Sequence, residues 1–279
     1  MKTFENKVAA ITGAGSGIGR ALAVALAGQK CALSLSDVNE AGLAETAGLV
    51  KDAGVKVTTA KVDVAQKQQM HDWAAQTVAD HGKVNLVFNN AGVAVAGTVE
   101  GLGYEDYEWI MGINFWGVVY GTKEFLPHLK ASGDGHIINV SSVFGLFAQP
   151  TQSAYNATKF AVRGFTESLR QELDIANAGV SATCVHPGGI KTNIAKSART
   201  NASMRALTGK DPEKATADFE KMFRTTADEA ARVILAGVRS NARRVLIGGD
   251  ARAIDIMQRL LPTSYQKLVT RALKAQARH

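Results

Sequence analysis

Compact apolar runs recur along the chain at 7–12, 31–36, 55–62, 84–88, 136–140, 180–185 and 244–248. Between them lie longer stretches, at 18–28, 40–52, 66–82, 104–129, 152–177 and 226–239, that read as helices. The short runs predict buried strands. The last helix opens with Thr226-x-x-Glu229, a capping box that supplies acceptors to free N–H groups at a helix start. Near-continuous apolar strands alternating with helices predict an α/β fold. The expectation is a single Rossmann-type doubly wound domain over 1–250, with a central seven-stranded parallel sheet and helices on both faces.

Two stretches depart from the alternation. Residues 193–225 are poor in strand signals and scatter Met204, Leu207, Phe219, Met222 and Phe223 among polar residues. They predict a substrate-loop insertion with short helices over the carboxyl ends of the strands, the edge where open α/β sheets bind ligands. Residues 251–279 form a basic amphipathic extension, with Ile254, Met257 and Leu261 at helical spacing and Pro262 dividing it. It holds Arg252, Arg259, Lys267, Arg271, Lys274 and Arg278 against the single acid Asp255, or +5 of the chain's net +7. Such a helix suits an anionic membrane surface. Packing of its apolar face on the body or on a neighbouring subunit is the preferred reading.

Charge and composition narrow the function. The body is nearly balanced, and no nucleic-acid reading module is present, so a nucleic-acid partner is not expected. No apolar run approaches a membrane span. The amino terminus MKTFENK leads straight into the first strand, so no signal peptide and a cytoplasmic location are expected. Cys31 and Cys184 sit alone in apolar runs, as buried reduced thiols do. The six histidines show no ligand spacing, and no catalytic metal is expected.

TGAGSGIG at 12–19 follows the first strand and opens the first helix. In that context Gly13, Gly17 and Gly19 permit a tight turn and close backbone approach, and the helix start offers N–H groups to a pyrophosphate. Ser16 and Ile18 belong to the same cradle. Asp37 closes the second strand and can accept both adenosine ribose hydroxyls while repelling a 2′-phosphate, which favours NAD over NADP. Asp37 can also cap the helix that follows. Asp63 and Val64 end the third strand and are candidates for the adenine, although a strand-end turn carboxylate explains Asp63 as well. Asn89, Asn90, Ala91 and Gly92 follow the fourth strand, where small residues and amides suit close passage of the cofactor.

Tyr155 and Lys159 lie four residues apart in YNATK, on one helix face. Ser142 ends the run HIINVSS thirteen residues earlier, where a strand can deliver a hydroxyl beside the phenol. A lysine ammonium makes that phenol easier to ionise, so Tyr155 can serve as general base in oxidation and general acid in reduction. Ser142 can steady the developing charge on the substrate oxygen.

These motifs, with Asn114 in GINFWG and HPGGIKT at 186–192, resemble the short-chain dehydrogenase/reductase family over about residues 5–250. The family's thirteen-residue spacing selects Ser142 over Ser141. The resemblance implies that Lys159 also binds the nicotinamide ribose and that Asn114 positions a water in a proton relay. It implies a nicotinamide-binding turn at Pro187 and Gly188, with the Ile190 backbone and the Thr192 hydroxyl on the carboxamide. His186 reads as structural. Dimers or tetramers are expected by the same resemblance.

The substrate side reads as apolar: Val93, Ala94 and Val95 after the amide turn, then Val143, Phe144, Leu146 and Phe147. No arginine lies near Ser142 or Tyr155, which disfavours a small carboxylate. The expectation is an NAD(P)-dependent oxidoreductase acting on a lipophilic secondary alcohol or its ketone. One alternative is a nucleotide-sensing regulator that binds NAD without turnover, whose usual mark is a broken catalytic set; here the set is intact. Another is a membrane-surface or scaffold protein acting through its basic tail.

Overall fold

In the first half β1 (Val8–Thr12), α1 (Gly17–Ala27), β2 (Ala32–Asp37), α2 (Glu40–Val50), β3 (Val57–Lys61), α3 (Lys67–His81) and β4 (Leu86–Asn89) alternate without exception. These belong to a computed structural model that describes every residue except 210, 212, 213, 215, 216, 219, 222 and 277–279. Phe219, Met222 and Arg278 therefore lie outside the described residues. The second half begins with β5 (Val95–Ala96), α4 (Tyr104–Met111), α5 (Gly117–Ala131), β6 (Gly135–Val140) and α6 (Ser153–Ile175). It continues with β7 (Val180–Pro187), β8 (Ile190–Lys191), β9 (Arg199–Thr200), α7 (Met204–Thr208) and β10 (Thr225–Thr226). Then come α8 (Ala227–Arg239), β11 (Arg244–Ile247), α9 (Gly249–Leu260) and α10 (Tyr265–Gln276).

Seven strands form one parallel sheet in the order β11-β7-β6-β4-β1-β2-β3. The inner strands β1, β4, β6 and β7 read as near-continuous apolar runs because both faces are covered, whereas the edge strand β3 is polar and half-exposed. Ile11, Phe88, Ile138 and Val185 enter one core with Leu22, Leu26, Ile234 and Leu235. Their neighbours Ala10, Val87, Ile137 and Ala182 point the other way and meet Trp73, Phe125, Leu129 and Leu169. Strand neighbours thus serve opposite layers, as the two-residue period requires. The sheet order reverses between β1 and β4, so a crevice opens at their carboxyl ends.

The helix expected over 104–129 is interrupted. Between α4 and α5 the residues Gly112–Trp116 make a π turn with Asn114 at its centre. Asn114 Oδ1 accepts from Val93 N at 2.8 Å, and its Nδ2 donates to Val93 O at 2.9 Å. These long-range bonds hold the helix to the loop after β4. The 193–225 segment pairs back on the body through β8 with β10 and β9 with β5. Within it Met204 is buried, whereas Leu207 is exposed, because α7 is short and presents only one side inward.

Buried amides and hydroxyls lock the strands and helices that carry the site. Asn89 Nδ2 donates to Asn139 Oδ1 at 2.8 Å, and Asn139 Nδ2 to Thr166 Oγ1 at 3.0 Å, joining β4, β6 and α6. Gly121 of α5 lies so close to Asn89 that a Cβ would meet its Oδ1 at 2.1 Å. The extension packs on the body, with Ala251, Ile254, Met257, Tyr265 and Val269 turned inward. Leu261, read as part of that inward face, is 39% exposed, because the turn at Pro262 ends α9 before it.

Candidate active site

The glycine-rich turn leaves the end of β1 in a left-handed conformation at Gly13 and again at Gly17. A Cβ on Gly19 would lie 2.1 Å from Gly13 O, and one on Gly13 would lie 2.9 Å from Ala91 Cα. Only glycine lets the turn, α1 and the loop after β4 converge. Ser16 precedes α1 and makes no side-chain cap, so the helix start keeps its N–H groups for a ligand. Ile18 and Gly92 stand half-buried around the same cradle, and Thr192 sets its Cγ2 against Gly17. These residues fit a dinucleotide pyrophosphate.

Asp37 accepts from Gly15 N at 2.9 Å through Oδ2 and from Asn39 N at 3.0 Å through Oδ1. A carboxylate offers about four acceptor positions, so two stay open for ribose hydroxyls. Helix α2 is capped by Asn39 rather than by Asp37. The cations around it are held elsewhere: Arg20 Nε on Thr46 Oγ1 at 3.0 Å and a guanidinium nitrogen on Glu45 at 2.7 Å, and Lys61, opposite Asp37 on β3, on Glu40 at 2.8 Å. Asp63 accepts from Ala65 N at 3.0 Å, the strand-end turn anticipated as its second role, and Val64 is buried beneath Gly117.

Asn89 and Asn90 depart from expectation. Both amides turn into the protein, Asn90 donating to Thr12 O at 2.9 Å and Asn89 into the network behind the sheet. Thr12 Oγ1 completes the staple by accepting from the N–H groups of Asn90 and Ala91. The side of this loop that faces the glycine-rich turn is therefore backbone, with Ala91 and Gly92 half-buried.

Ser142, Tyr155 and Lys159 meet at the carboxyl end of β6, beside α6. The Ser142 hydroxyl lies on the Tyr155 side of the site, where it lowers the phenol's pKa, and the Lys159 ammonium lies 5.5 Å from the Tyr155 ring centre. Lys159 Nζ donates to Val140 O at 3.1 Å. Ser141 faces away and donates to Lys159 O at 2.8 Å, which leaves Ser142 as the hydroxyl in the site. Asn114 is fully buried, and its amide is committed to Val93 and Thr158.

Burial pushes the Tyr155 phenol up to about 12, opposed by the Ser142 hydrogen bond, and the Lys159 ammonium down to about 8. In the protein alone both groups resist charge, so at neutral pH Tyr155 holds its proton and Lys159 is cationic.

Three further residues shape the site: His186, read from the sequence as structural, and Asp250 and Tyr265, which sequence patterns missed. His186 donates Nδ1–H to Ser142 O at 2.9 Å, and its Nε2 is buried without a hydrogen-bond partner among the described residues. Asp250 Oδ2 accepts from Gly189 N at 2.6 Å and fixes the Pro187–Gly188 turn, where Ile190 is buried in β8. Tyr265 from α10 accepts from Ala148 N at 3.1 Å.

On the substrate side Phe144 stacks on Phe147 at 5.4 Å and meets the Tyr155 ring edge-on at 5.9 Å. Phe147 meets Tyr265 at 6.0 Å. Val143 joins this cluster, whereas Leu146 is only 1% exposed behind the turn after Ser142. The roof over Tyr155 is thus aromatic and drawn partly from the C-terminal helices.

The family model described as "short chain dehydrogenase" matches residues 7–203. The chain belongs to the short-chain dehydrogenase family. This short-chain dehydrogenase is 49% identical over 270 residues to the "Putative oxidoreductase SadH" of Mycobacterium tuberculosis, covering 96% of each chain. Its fold superposes on a short-chain dehydrogenase/reductase from Burkholderia phymatum in complex with NAD, with a TM-score of 0.85 and 30% identity. That match covers 94% of this chain and 96% of the other. It also resembles an alcohol dehydrogenase from Thermococcus sibiricus complexed with 5-hydroxy-NADP, at a TM-score of 0.71 and 27% identity, over 86% and 95% of the two chains. The protein is accordingly an oxidoreductase of the nicotinamide-dependent kind. Among the described residues no helix is long and apolar enough to cross a membrane, and no cluster of metal ligands occurs.

Two buried imidazoles should make the fold acid-sensitive. Burial drives His136, which bonds to Thr183 Oγ1 at 2.7 Å, down to about 3, and His186 down to about 4. The unfolded chain takes up these protons near pH 6.5 while the folded chain does not. Stability is therefore full above about 6.5 and falls as pH drops toward 4, by up to about 1.4 kcal/mol per pH unit for each histidine. The melting temperature should decline continuously across that window, and His136→Gln should flatten the slope by roughly half. A melting temperature constant from pH 6.5 to 4 contradicts it.

Proposed function

We propose that the protein interconverts a hydrophobic secondary alcohol and its ketone with NAD, using Tyr155 as the proton-transfer group. The observation that carries this reading is Tyr155 buried at the end of β6 with the Lys159 ammonium 5.5 Å from its ring, Phe144 edge-on at 5.9 Å and the Ser142 hydroxyl favouring its ionised form. Gly13, Ser16, Gly17, Ile18 and Gly19 would hold the pyrophosphate, Asp37 the adenosine ribose, and Asp63 with Val64 the adenine side. Asn90, through its backbone, would join Ala91 and Gly92 along the dinucleotide. Pro187, Gly188, Ile190 and Thr192 would hold the nicotinamide end, with Lys159 on its ribose. When bound, the nicotinamide supplies the hydride acceptor or donor at C4 and, oxidised, a positive charge near the phenol.

The chain's own residues manage the proton. In reduction Tyr155 donates its phenolic proton to the carbonyl oxygen, and in oxidation it takes the proton of the alcohol. Ser142 donates a hydrogen bond to the same oxygen and disperses its developing charge. Lys159, cationic below about pH 8, stabilises the phenolate left behind. We assign Asn114 to positioning, since its amide ties the π turn to Val93. The aromatic walls exclude water, and the guanidinium beside them, that of Arg163, is engaged by Glu167 and Gly145 O.

A homologous series of secondary alcohols tests the substrate class. Catalytic efficiency should rise about fourfold per added methylene until the pocket is full, the gain expected for burying one such group. Efficiency independent of chain length, or greatest for charged alcohols, contradicts a lipophilic substrate.

A further inference from the structure

Helix α9 presents an apolar face outward as well as inward, and α10, besides its own inward face, adds the exposed Leu268. The inward faces are buried in the aromatic roof. The outward one is not: Ile256 is 57%, Leu260 75% and Leu268 47% exposed, and Leu261 at the turn joins them. Arg252, Ile256, Arg259 and Leu260 share one side of α9 by helical spacing, as Lys267, Arg271 and Lys274 share one side of α10. Leu268 stands three residues before Arg271 and borders that basic ridge.

The cations decide what could cover this surface. Arg259 is engaged by Asp255 at 3.0 Å, and Asp255 is also taken by Arg244 at 3.2 Å. Among the described residues, Arg252, Lys267, Arg271 and Lys274 have no carboxylate within ion-pairing distance. A twofold contact would set this patch against itself and bring like charges together with no acids between them. An anionic lipid surface meets both features, taking leucines at the headgroup boundary and cations at the phosphates. Helix α10 also walls an open depression of about 550 Å³ whose lining mixes Phe160, Tyr265 and Val269 with Gln149, Asn156 and Gln266.

We propose that α9 and α10 dock the protein on anionic bilayers, with Ile256, Leu260, Leu261 and Leu268 inserted and Arg252, Lys267, Arg271 and Lys274 on lipid phosphates. Docking would place the aromatic roof and this depression beside the bilayer. It stands apart from the catalytic reading, because it rests on the outward faces alone.

The test is co-sedimentation of the full-length protein with phosphatidylcholine vesicles and with vesicles containing about one-third phosphatidylglycerol. Binding is expected only to the anionic vesicles. Arg271→Glu with Lys274→Glu should weaken it at least tenfold, since each basic residue near the surface contributes about fivefold. Leu260→Ser with Leu268→Ser should weaken it with the charge intact. Circular dichroism and light scattering establish that each variant is folded and of what mass. Equal binding to both vesicles, binding to neither, or unchanged binding by both variants overturns the proposal. So does a wild-type oligomer that the leucine variant converts to monomer, because a second copy would then cover this face.

Discussion

Replacing Tyr155 by phenylalanine should lower kcat by about 10²- to 10⁴-fold, the range general acid–base catalysis supplies, while NAD affinity changes by less than about threefold. The phenyl ring remains packed against Phe144, so the aromatic roof survives and only the hydroxyl is lost. Ser142 then keeps its acceptor role toward Phe144 N but loses its neighbour on the site side. The pH profile should change with the rate. Oxidation by the native enzyme should accelerate as pH rises from acid toward about 8, because the phenol that burial pushes up must release its proton while Lys159 is still cationic. That ionisation limb should vanish in the variant. A variant retaining more than about a tenth of native turnover would remove Tyr155 from the proton path.

The second large effect concerns cofactor choice. Asp37→Ala should lower efficiency with NAD by about 10²-fold, through loss of two charge-assisted hydrogen bonds of about 1.5 kcal/mol each. Efficiency with NADP should hold steady or rise, because a carboxylate that repels the 2′-phosphate is gone. Arg20 offers no ready substitute, since recruiting it would break its contacts with Glu45 and Thr46. The ratio of NAD to NADP efficiencies is the measurement. A ratio unchanged by the substitution would place the adenosine ribose elsewhere.

The architecture was legible because the sheet is buried on both faces. Ile11, Phe88, Ile138 and Val185 left apolar runs that a half-exposed sheet would have broken with polar residues. The catalytic set was legible because Tyr155 and Lys159 lie on one helix and Ser142 at a strand end. What stayed hidden depends on contacts between distant residues. Asp250 reaches the Pro187–Gly188 turn from 61 residues beyond its partner, Gly189, and Tyr265 reaches Ala148 across 117. His186 bonds to Ser142 across 44 residues, and no local pattern distinguishes it from a core histidine. The π turn at Asn114 was hidden for the same reason, because Val93 rather than helix propensity holds it. The inward turn of Asn89 and Asn90 was equally unreadable: amides beside a glycine look the same whether they face a ligand or a sheet.

The most direct test of the proposed reaction follows the hydrogen itself. Secondary alcohols of graded chain length, deuterated at the carbinol carbon, are incubated with the enzyme and NAD, and the nicotinamide product is analysed by mass spectrometry. Deuterium should appear in NADH, most rapidly with the longer apolar alcohols, and should fail to appear with Tyr155→Phe. Binding of NAD without deuterium transfer from any alcohol in the series would contradict the reaction and favour a protein that senses the nucleotide without turning it over.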